Sequence, residues 1–262
     1  MSQKAYREAE GISRSELYAI KKSPLHFKYQ QDNPKEDTKA LKFGRAVHKY
    51  ILENDDFYNE YVVEPVFDKR TKAGKEAYQL FLAEACDKET ISEDDLSVIK
   101  DMYAAVQAHP LAVALLTGEH EKDFFWTDDV TGEKCKCRPD CLTELDGKKY
   151  IVDYKSTDSC EDGHFERACR KYGYKFQAGM YREGVFQNTF EDYGFAFVAQ
   201  EKTAPYAVRV YICSDEFISE GYDIFRELLG IYHYCKENEI WYGYEGITGY
   251  PDTLMGEGEF ND

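Results

Sequence analysis

The sequence lacks a run of roughly eighteen apolar residues, the least that a membrane-spanning helix needs. Its opening, Met1 to Glu8, is polar and lacks the apolar segment of a signal peptide. No internal repeat is present, and no linker is long enough to separate a second domain. With 262 residues, of which 43% are hydrophobic, the chain is long enough to bury a substantial core. We therefore expect a single-domain cytoplasmic protein without membrane contact.

The eight cysteines lack the spacing of a zinc site. Cys135, Cys137 and Cys141 lie close together, but Cys-x-Cys on a strand is not the Cys-x-x-Cys spacing of a zinc knuckle. In a reducing cytoplasm, we expect these thiols to be reduced and mostly buried. Packing is therefore a better explanation of the cysteines than metal ligation.

Positive charge is scarce, since 33 lysines and arginines stand against 50 acids and the net charge is −17. This balance argues against a broad nucleic-acid surface, because phosphate binding needs cations. The charge is polarised, however. The segment from Lys21 to Lys49 has eight basic residues and three acids, whereas Asp215 to Asp262 has twelve acids and two basic residues. Either the basic segment contacts a phosphate backbone, or both segments are ordinary solvated surfaces.

Hydrophobic spacing and turn residues predict an α+β (mixed α/β) fold. Helices are expected near residues 13–23, 39–53, 72–86, 93–108, 163–187 and 215–237. Strands are expected at 122–129, 134–139, 149–155, 193–201 and 206–213. Turn residues at 130–133 and 146–147 favour an antiparallel meander within a central mixed sheet flanked by helices. We divide the chain into a helical N-terminal lobe (1–118), a sheet-and-helix core (119–238) and an acidic irregular tail (239–262).

Three charged residues on neighbouring strands carry the clearest chemical signal. Asp140 ends the Arg138-Pro139-Asp140 segment, and Asp153 and Lys155 lie two apart on the next strand. Residues i and i+2 of a strand point to the same face, and the turn at Asp146-Gly147 can bring Asp140 beside them. Two carboxylates are costly to place together without a bound cation.

A magnesium or manganese ion would explain this arrangement, because both ions prefer carboxylate oxygen. Asp140 and Asp153, with the backbone carbonyl of Tyr154, would hold the ion, which would activate water to attack a phosphodiester. Lys155 would orient or help deprotonate that water, or stabilise the developing phosphate charge. The alternative is a surface strand with an incidental salt bridge.

Several other residues are candidates for supporting roles. Gln177 and Tyr181 are four apart and share a helix face, where they could contact the DNA backbone, support Lys155 or simply be half-buried. His48 is either a structural residue or close to the metal. Glu121, with Glu119 as its rival, is a possible further acid at the head of the first strand.

Four motifs in this order resemble the PD-(D/E)xK nuclease superfamily. They are Gly-x-x-x-His (Gly44 to His48), Arg-Pro-Asp, Asp-x-Lys and Gln-x-x-x-Tyr. Within the superfamily, the chain most resembles the RecE-type (exonuclease eight) branch, which is related to lambda-type exonuclease. The segments Gly11 to Leu17, Ser23-Pro24 and Phe43 to His48 are also similar to that branch. The resemblance covers roughly residues 11–200.

This resemblance implies a restriction-endonuclease-like core and assigns roles by position. Asp140 and Asp153 would bind catalytic Mg²⁺, with Glu121 as a less certain ligand, and Lys155 would be the catalytic lysine. His48 matches the active-site histidine, and Gln177 and Tyr181 match the supporting motif. Arg45, in the His48 motif and the basic segment, is assigned to DNA contact. Asp153 stands where many superfamily members have Glu, although RecE-type members commonly have Asp.

The resemblance also implies a biological role. Such proteins degrade linear double-stranded DNA, many of them from the 5′ end, and leave a 3′ single strand for an annealing or recombination protein of the phage type. Several are homo-oligomers that form a ring around the duplex. One alternative is a related nuclease with an iron–sulfur cluster, which the cysteine positions disfavour. Another is a non-catalytic binding module of the same fold that recruits a recombination partner.

Overall fold

The computed structural model describes residues 1–34, 37–86 and 88–246. Within these ranges the helices are α1 (Gln3–Glu8), α2 (Arg14–Ile20), α3 (Pro24–Asp32), α4 (Lys39–Leu52), α5 (Phe57–Glu60), α6 (Lys72–Ala85), α7 (Glu93–Gln107), α8 (Pro110–Leu115), α9 (Asp162–Tyr172), α10 (Tyr174–Thr189) and α11 (Asp215–Asn238). The strands are β1 (Ile12–Ser13), β2 (Tyr61–Glu64), β3 (Glu89–Ser92), β4 (Glu119–His120), β5 (Phe124–Thr127), β6 (Lys134–Cys137), β7 (Cys141–Leu145), β8 (Lys148–Thr157), β9 (Gly194–Glu201) and β10 (Val208–Ile212).

The central sheet has five strands in the order β10-β9-β8-β7-β4. The β8–β9 pair is parallel and the other pairs are antiparallel. A second sheet has the order β1-β6-β5, and β2 and β3 form a parallel pair. The mixed α+β class predicted from the sequence is therefore confirmed.

The strand pairing around the Asp146-Gly147 turn differs from the expected meander. β6 pairs with β5 and β1, while β8 pairs with β7, a strand that the sequence analysis did not predict. The break follows from Pro139, because proline has no backbone N–H to continue a ladder. The chain therefore leaves one sheet at Cys137 and enters the other at Cys141, with Asp140 at the junction.

One predicted helix ends close to the expected residue, and another is divided in two. α2 ends at Ile20, near the expected end at Ser23-Pro24, but a further helix that was not predicted, α3, begins there, with Pro24 in its first turn and the Ser23 hydroxyl accepting from the His26 N–H at 3.3 Å. One helix was expected over 163–187, but Gly173 separates α9 from α10 with a φ of +67°. A side chain at Gly173 would also collide with the ring of Tyr18.

The parallel pair β8 and β9 lies in the middle of the core and has apolar clusters on both faces. One cluster contains Ile151, Phe195 and Phe197, together with residues of α10 and α11. The opposite cluster contains Val152 and Tyr154, together with residues of α4, α7 and α8. Strand alternation therefore places Asp153 and Lys155 on the same face as Ile151, toward α10.

In the described ranges, no helix combines the length and apolar character that a bilayer span requires. The long helix α11 ends at Asn238, close to the predicted start of the acidic tail. Residues 247–262 of that tail lie outside the described residues.

Candidate active site

The central sheet has a gap between β7 and β8 next to the start of β7, and we call this gap the opening. The β7–β8 ladder ends at the Cys141–Val152 pair, and the Asp140 carboxylate takes over as partner of β8. Asp140 Oδ2 accepts the backbone N–H of Tyr154 at 2.7 Å. In a strand, the N–H and C=O of one residue point to the same side, so the Tyr154 carbonyl faces the same opening.

His48 and Glu121 join Asp140 at this opening. His48 Nε2 lies 2.9 Å from Asp140 Oδ2, and His48 Nδ1 lies 3.4 Å from Glu121 Oε1. One ligand atom from each of the three residues falls within 4.8 Å of the other two. In the described residues, this is the one group of three or more histidine, cysteine or acidic side chains close enough to share an ion.

Glu121 and its rival Glu119 have different surroundings. The Glu119 side chain is 57% exposed and pairs with Lys122 at 2.8 Å, whereas Glu121 is 22% exposed and contacts His48. Glu121 has a φ of +50° directly after β4, a conformation that costs a non-glycine residue energy and often marks a functional site. The geometry therefore favours Glu121 over Glu119 as the acid of this cluster.

Asp153 lies beneath the opening with two direct partners. Its carboxylate is 1% exposed, with Lys155 Nζ 2.5 Å from Oδ2. Gln177 Nε2, on α10, donates to Oδ1 at 2.5 Å. The ring of Tyr174 lies under Lys155, with 4.8 Å between Nζ and the ring centroid. Asp153, Lys155 and Gln177 are thus together, as predicted, although Asp153 is outside the three-residue group of potential ligands.

The histidine balances the acids electrostatically. Burial disfavours a charged imidazole, but the carboxylates of Asp140 and Glu121 outweigh it and raise the pKa of His48 to about 9. Burial also acts against the ionised Asp140, but His48, Lys155 and the Tyr154 N–H leave the pKa of Asp140 below its usual value. At neutral pH, a charged His48 and an ionised Asp140 therefore form an ion pair.

The pKa values of the other two acids, Glu121 and Asp153, are raised. Burial raises the pKa of Glu121, although His48 opposes the shift. Burial, reinforced by the charge of Asp140, raises the pKa of Asp153 against the effect of Lys155. Three acids within one small buried region therefore do not ionise independently, and a divalent cation would stabilise their charged forms.

The donor set fits a divalent ion. An ion about 2.0–2.6 Å from each ligand atom needs ligands within about 5 Å of one another, as His48, Glu121 and Asp140 are. Carboxylate and carbonyl oxygens suit Mg²⁺ and Mn²⁺, and an imidazole nitrogen is more typical of a transition metal such as Mn²⁺ than of Mg²⁺. Gln177 Oε1 is buried and has no hydrogen-bond partner among the described residues, so a metal-bound water could donate to it.

Two predicted site residues lie in other environments. Tyr181 packs against the core, and burial raises the pKa of its hydroxyl well above its usual range, with smaller effects from neighbours that include Asp153. Arg45 pairs with Asp37 at 2.8 Å and Glu89 at 3.3 Å. Its guanidinium therefore already has two anionic partners, which would compete with a DNA phosphate.

Sequence reasoning missed the role of the basic residues that precede Asp140. The Arg138 guanidinium donates to Asp123 Oδ1 at 2.6 Å and to Gln3 Oε1 at 2.6 Å, and it lies over the Tyr6 ring. Lys136 is only 3% exposed and donates to three backbone carbonyls at the end of α1. These contacts hold α1 against β6 beside the site. The signal in the sequence is the alternation of basic residues and cysteines from Lys134 to Arg138, which places the basic side chains on one face of the strand.

Comparisons with known proteins agree with this fold. The model of the PDDEXK-like domain of unknown function (DUF3799) matches residues 13–250. A crystal structure of a "Putative exonuclease" from Eubacterium rectale superposes with a TM-score of 0.63 at 16% identity, over 98% of this chain and 95% of that one. The crystal structure of SSO0001 covers 72% of this chain and 86% of its own at 14% identity, but its TM-score of 0.32 is too low to carry an argument. No curated protein matches the sequence.

Proposed function

Because the chain belongs to the PDDEXK-like family, as the motifs predicted, we propose that it is a metal-dependent deoxyribonuclease that hydrolyses phosphodiester bonds. The observation that carries this proposal is the opening of the sheet at Asp140. There a histidine and two acids lie within 4.8 Å of one another, next to a strand with the Asp153-x-Lys155 pair.

The residues of the site would divide the work as follows. Asp140, His48 and the Tyr154 carbonyl, with Asp153 and Glu121, would hold Mg²⁺ or Mn²⁺. Such an ion, when bound, polarises the scissile phosphate and lowers the pKa of a coordinated water.

The remaining groups position the reactants. Lys155, fixed between Asp153 and the Tyr174 ring, would orient the attacking water and stabilise the charge that develops on the phosphate. Gln177 fixes the orientation of the Asp153 carboxylate through its amide hydrogen bond. A water that donates to Gln177 Oε1 would be held on the side of Asp153.

The substrate proposed is linear double-stranded DNA, digested from its 5′ ends to leave 3′ single strands. Two observations support an exonuclease: the resemblance to the RecE-type branch, and the fold shared with a protein named as a "Putative exonuclease". From the same resemblance, we propose a homo-oligomeric ring and a single-strand annealing or recombination protein as partner. We propose that the negative charge of the segment after Asp215 attracts such a partner.

Digestion of end-labelled linear duplex tests the proposal. In Mg²⁺ or Mn²⁺, wild-type protein should release the 5′ label first and retain the 3′ label, and EDTA should stop the reaction. Asp153→Asn should lower the rate at least about 100-fold, because it removes a charge from the reacting centre. Asp101→Ala, which alters an exposed acid on α7, should leave the rate unchanged. Release from both labels at equal rates would overturn the polarity, and digestion that persists in EDTA would overturn the metal dependence.

A non-catalytic binding module of the same fold is the second candidate. Its supporting observation is that His48 pairs with Asp140 at 2.9 Å, so the protein itself supplies a positive charge that balances this carboxylate. This candidate predicts that wild-type protein binds duplex but never digests it. The iron–sulfur alternative has less support, because in the described part of the chain the eight cysteines are free and no three of them form a cluster.

A further inference from the structure

Cations and aromatic rings form a series of contacts from Lys155, the proposed catalytic lysine, to the junction of α9 and α10. Lys155 Nζ lies 4.8 Å from the centroid of the Tyr174 ring. The Tyr174 and Tyr172 rings are stacked with 5.9 Å between their centroids. Lys171 Nζ then lies 5.0 Å from the centroid of the Tyr172 ring. Each residue in this series contacts the next one, so the series is continuous from Lys155 to the end of α9.

Helix α2 continues the series. Arg14 donates a hydrogen bond to the Tyr172 carbonyl, and its guanidinium lies 5.1 Å from the centroid of the Tyr18 ring. Lys21 Nζ lies over the same ring at 5.4 Å, and the Tyr18 hydroxyl donates to the Lys171 carbonyl at 3.3 Å. We define the basic-aromatic track as these residues together with the exposed Arg170: Arg14, Tyr18, Lys21, Lys155, Arg170, Lys171, Tyr172 and Tyr174.

The outer cations of the track have no acidic partners. Within the described residues, Arg14, Lys21, Arg170 and Lys171 form no ion pair. Basic residues elsewhere on this acidic chain commonly do, as with Lys28–Asp32, Lys49–Glu53, Lys134–Glu10 and Lys202–Asp158. A chain with a net charge of −17 therefore leaves unpaired cations next to one another at this surface. That pattern is expected of a surface whose counter-charge comes from a bound polyanion.

The last turn of α9 favours the cations Arg170 and Lys171, but two other features are unfavourable in the protein alone. Arg167 and Lys171 are four residues apart on α9, and like charges at this spacing destabilise a helix. Tyr172 is 47% exposed, although burial of a tyrosine ring is favourable. The repulsion and the exposed ring are both relieved if a phosphate lies between the cations and a base covers the ring.

We propose that the basic-aromatic track binds one unpaired strand of DNA that leads to the catalytic site. The strand backbone would follow Arg170, Lys171 and Lys21, and one base would stack on Tyr172. An unpaired strand fits better than a duplex, because inside a duplex the faces of each base are covered by the neighbouring base pairs and cannot stack on a side chain. The inference rests on the proposed nuclease function, since it identifies the strand as the one that Lys155 meets.

Binding of a labelled oligothymidine of about 15 nucleotides, measured in EDTA at several salt concentrations, separates the two parts of the track. Arg170→Gln with Lys171→Gln should weaken binding about tenfold or more. The slope of log K against log salt should fall by about 1.4, or about 0.7 for each lost phosphate contact. Tyr172→Ala should weaken binding about tenfold with little change of slope, and Tyr172→Phe should restore it because the phenyl ring still stacks.

Matched variants control for charge and exposure. Lys75→Gln with Lys100→Gln removes two exposed cations of α6 and α7, and Tyr234→Ala removes a ring that is 41% exposed on α11. Neither should change oligothymidine affinity by more than about twofold. Thermal unfolding of every variant verifies that the fold is retained.

The outcomes distinguish this inference from the proposed function. If the track variants bind oligothymidine as the matched controls do, the track is overturned, whether or not wild-type protein digests duplex. If Tyr172→Ala weakens binding of a blunt, closed duplex as much as binding of the oligothymidine, the assignment to an unpaired strand is overturned. If the track variants behave as expected but wild-type protein digests no DNA, the track stands and the nuclease proposal fails.

Discussion

At the residue scale, the protonation of His48 determines the charge balance of the candidate site. Its pKa of about 9 means that the imidazole is protonated at neutral pH and lies as a cation between Asp140 and Glu121. A metal ligand must be neutral, so ion binding would displace this proton. Binding of a divalent ion at this site would therefore release the imidazole proton of His48.

The two acids at the head of the catalytic core give a direct test at this scale. Glu121→Gln should lower the metal-dependent digestion rate about 10- to 100-fold, the size of effect typical of residues that support a metal site. Glu119→Gln should change the rate less than about twofold, because Glu119 pairs with Lys122 on the surface. Initial rates at saturating Mn²⁺ measure both. Equal effects of the two substitutions would remove Glu121 from the site.

The sequence predicts part of this site for a simple physical reason. Asp153 and Lys155 share a face because strand residues alternate, and Asp140 is near them because a tight turn joins β7 and β8. His48 is 92 residues before Asp140, so no local rule brings them together, and only the motif resemblance singled it out. Arg138 belongs to the same motif as Asp140, but it donates hydrogen bonds to Asp123 and Gln3, and its Nε lies 3.9 Å from Glu121 Oε2.

At the element scale, the turn between β5 and β6 is attached to α11. Asp128, which is 5% exposed, accepts from the Thr131 N–H at 2.8 Å and pairs with Arg226 of α11. Glu133 lies 2.6 Å from Lys236 of the same helix. These contacts fasten the β5–β6 hairpin, which carries the Asp123 and Arg138 pair beside the site, to the longest helix of the fold.

Asp128→Asn tests this attachment through its pH dependence. Burial opposes the ionised form, but Arg226 and Thr131 outweigh it and lower the pKa of Asp128 below 3.8. The stabilisation is therefore complete above the unfolded-state pKa of about 4 and is lost as the pH falls through the folded-state value. At pH 7 the variant should lose about 2 kcal/mol of stability, which lowers Tm by roughly 4–8 °C.

Calorimetry at pH 7 and near pH 3 makes the comparison. The difference in Tm between wild type and Asp128→Asn should be smaller near pH 3 than at pH 7. Asp129→Asn, at the exposed neighbouring position, should match wild type at both. A Tm difference that is the same at pH 3 and pH 7 would contradict the ion pair as its cause.

The elements were predicted from sequence where a single local pattern decides them. The periodic helices α7 and α11 and the apolar strand β9 are examples, since their patterns are long. The errors arose where one residue type is compatible with two different local structures. Pro24 can follow a helix or begin one, and a glycine such as Gly173 can lie within a helical pattern or break it. The two-residue strand β4 depends on its pairing with β7, and no local pattern in the sequence predicts that pairing.

At the scale of the whole molecule, the proposed ion would connect the N-terminal helices to the sheet. His48 comes from α4, Glu121 from the segment after β4, and Asp140 and Tyr154 from the opening between β7 and β8. An ion that binds only the folded arrangement stabilises the whole fold, by about 2.7 kcal/mol at 100 times its Kd. The charge of the whole molecule is unevenly distributed, because the basic-aromatic track is a positively charged surface on a chain whose net charge is −17.

The location of a bound ion tests the central claim most directly. Crystals of the protein soaked in Mn²⁺ should give an anomalous difference peak about 2.0–2.4 Å from Asp140 Oδ2 and His48 Nε2, on the side of the Tyr154 carbonyl. The same soak of an Asp140→Asn variant should give no peak there. Absence of the peak in wild-type crystals at saturating Mn²⁺, or a peak that persists in the variant, would contradict the claim that this opening in the sheet is a metal-dependent catalytic site.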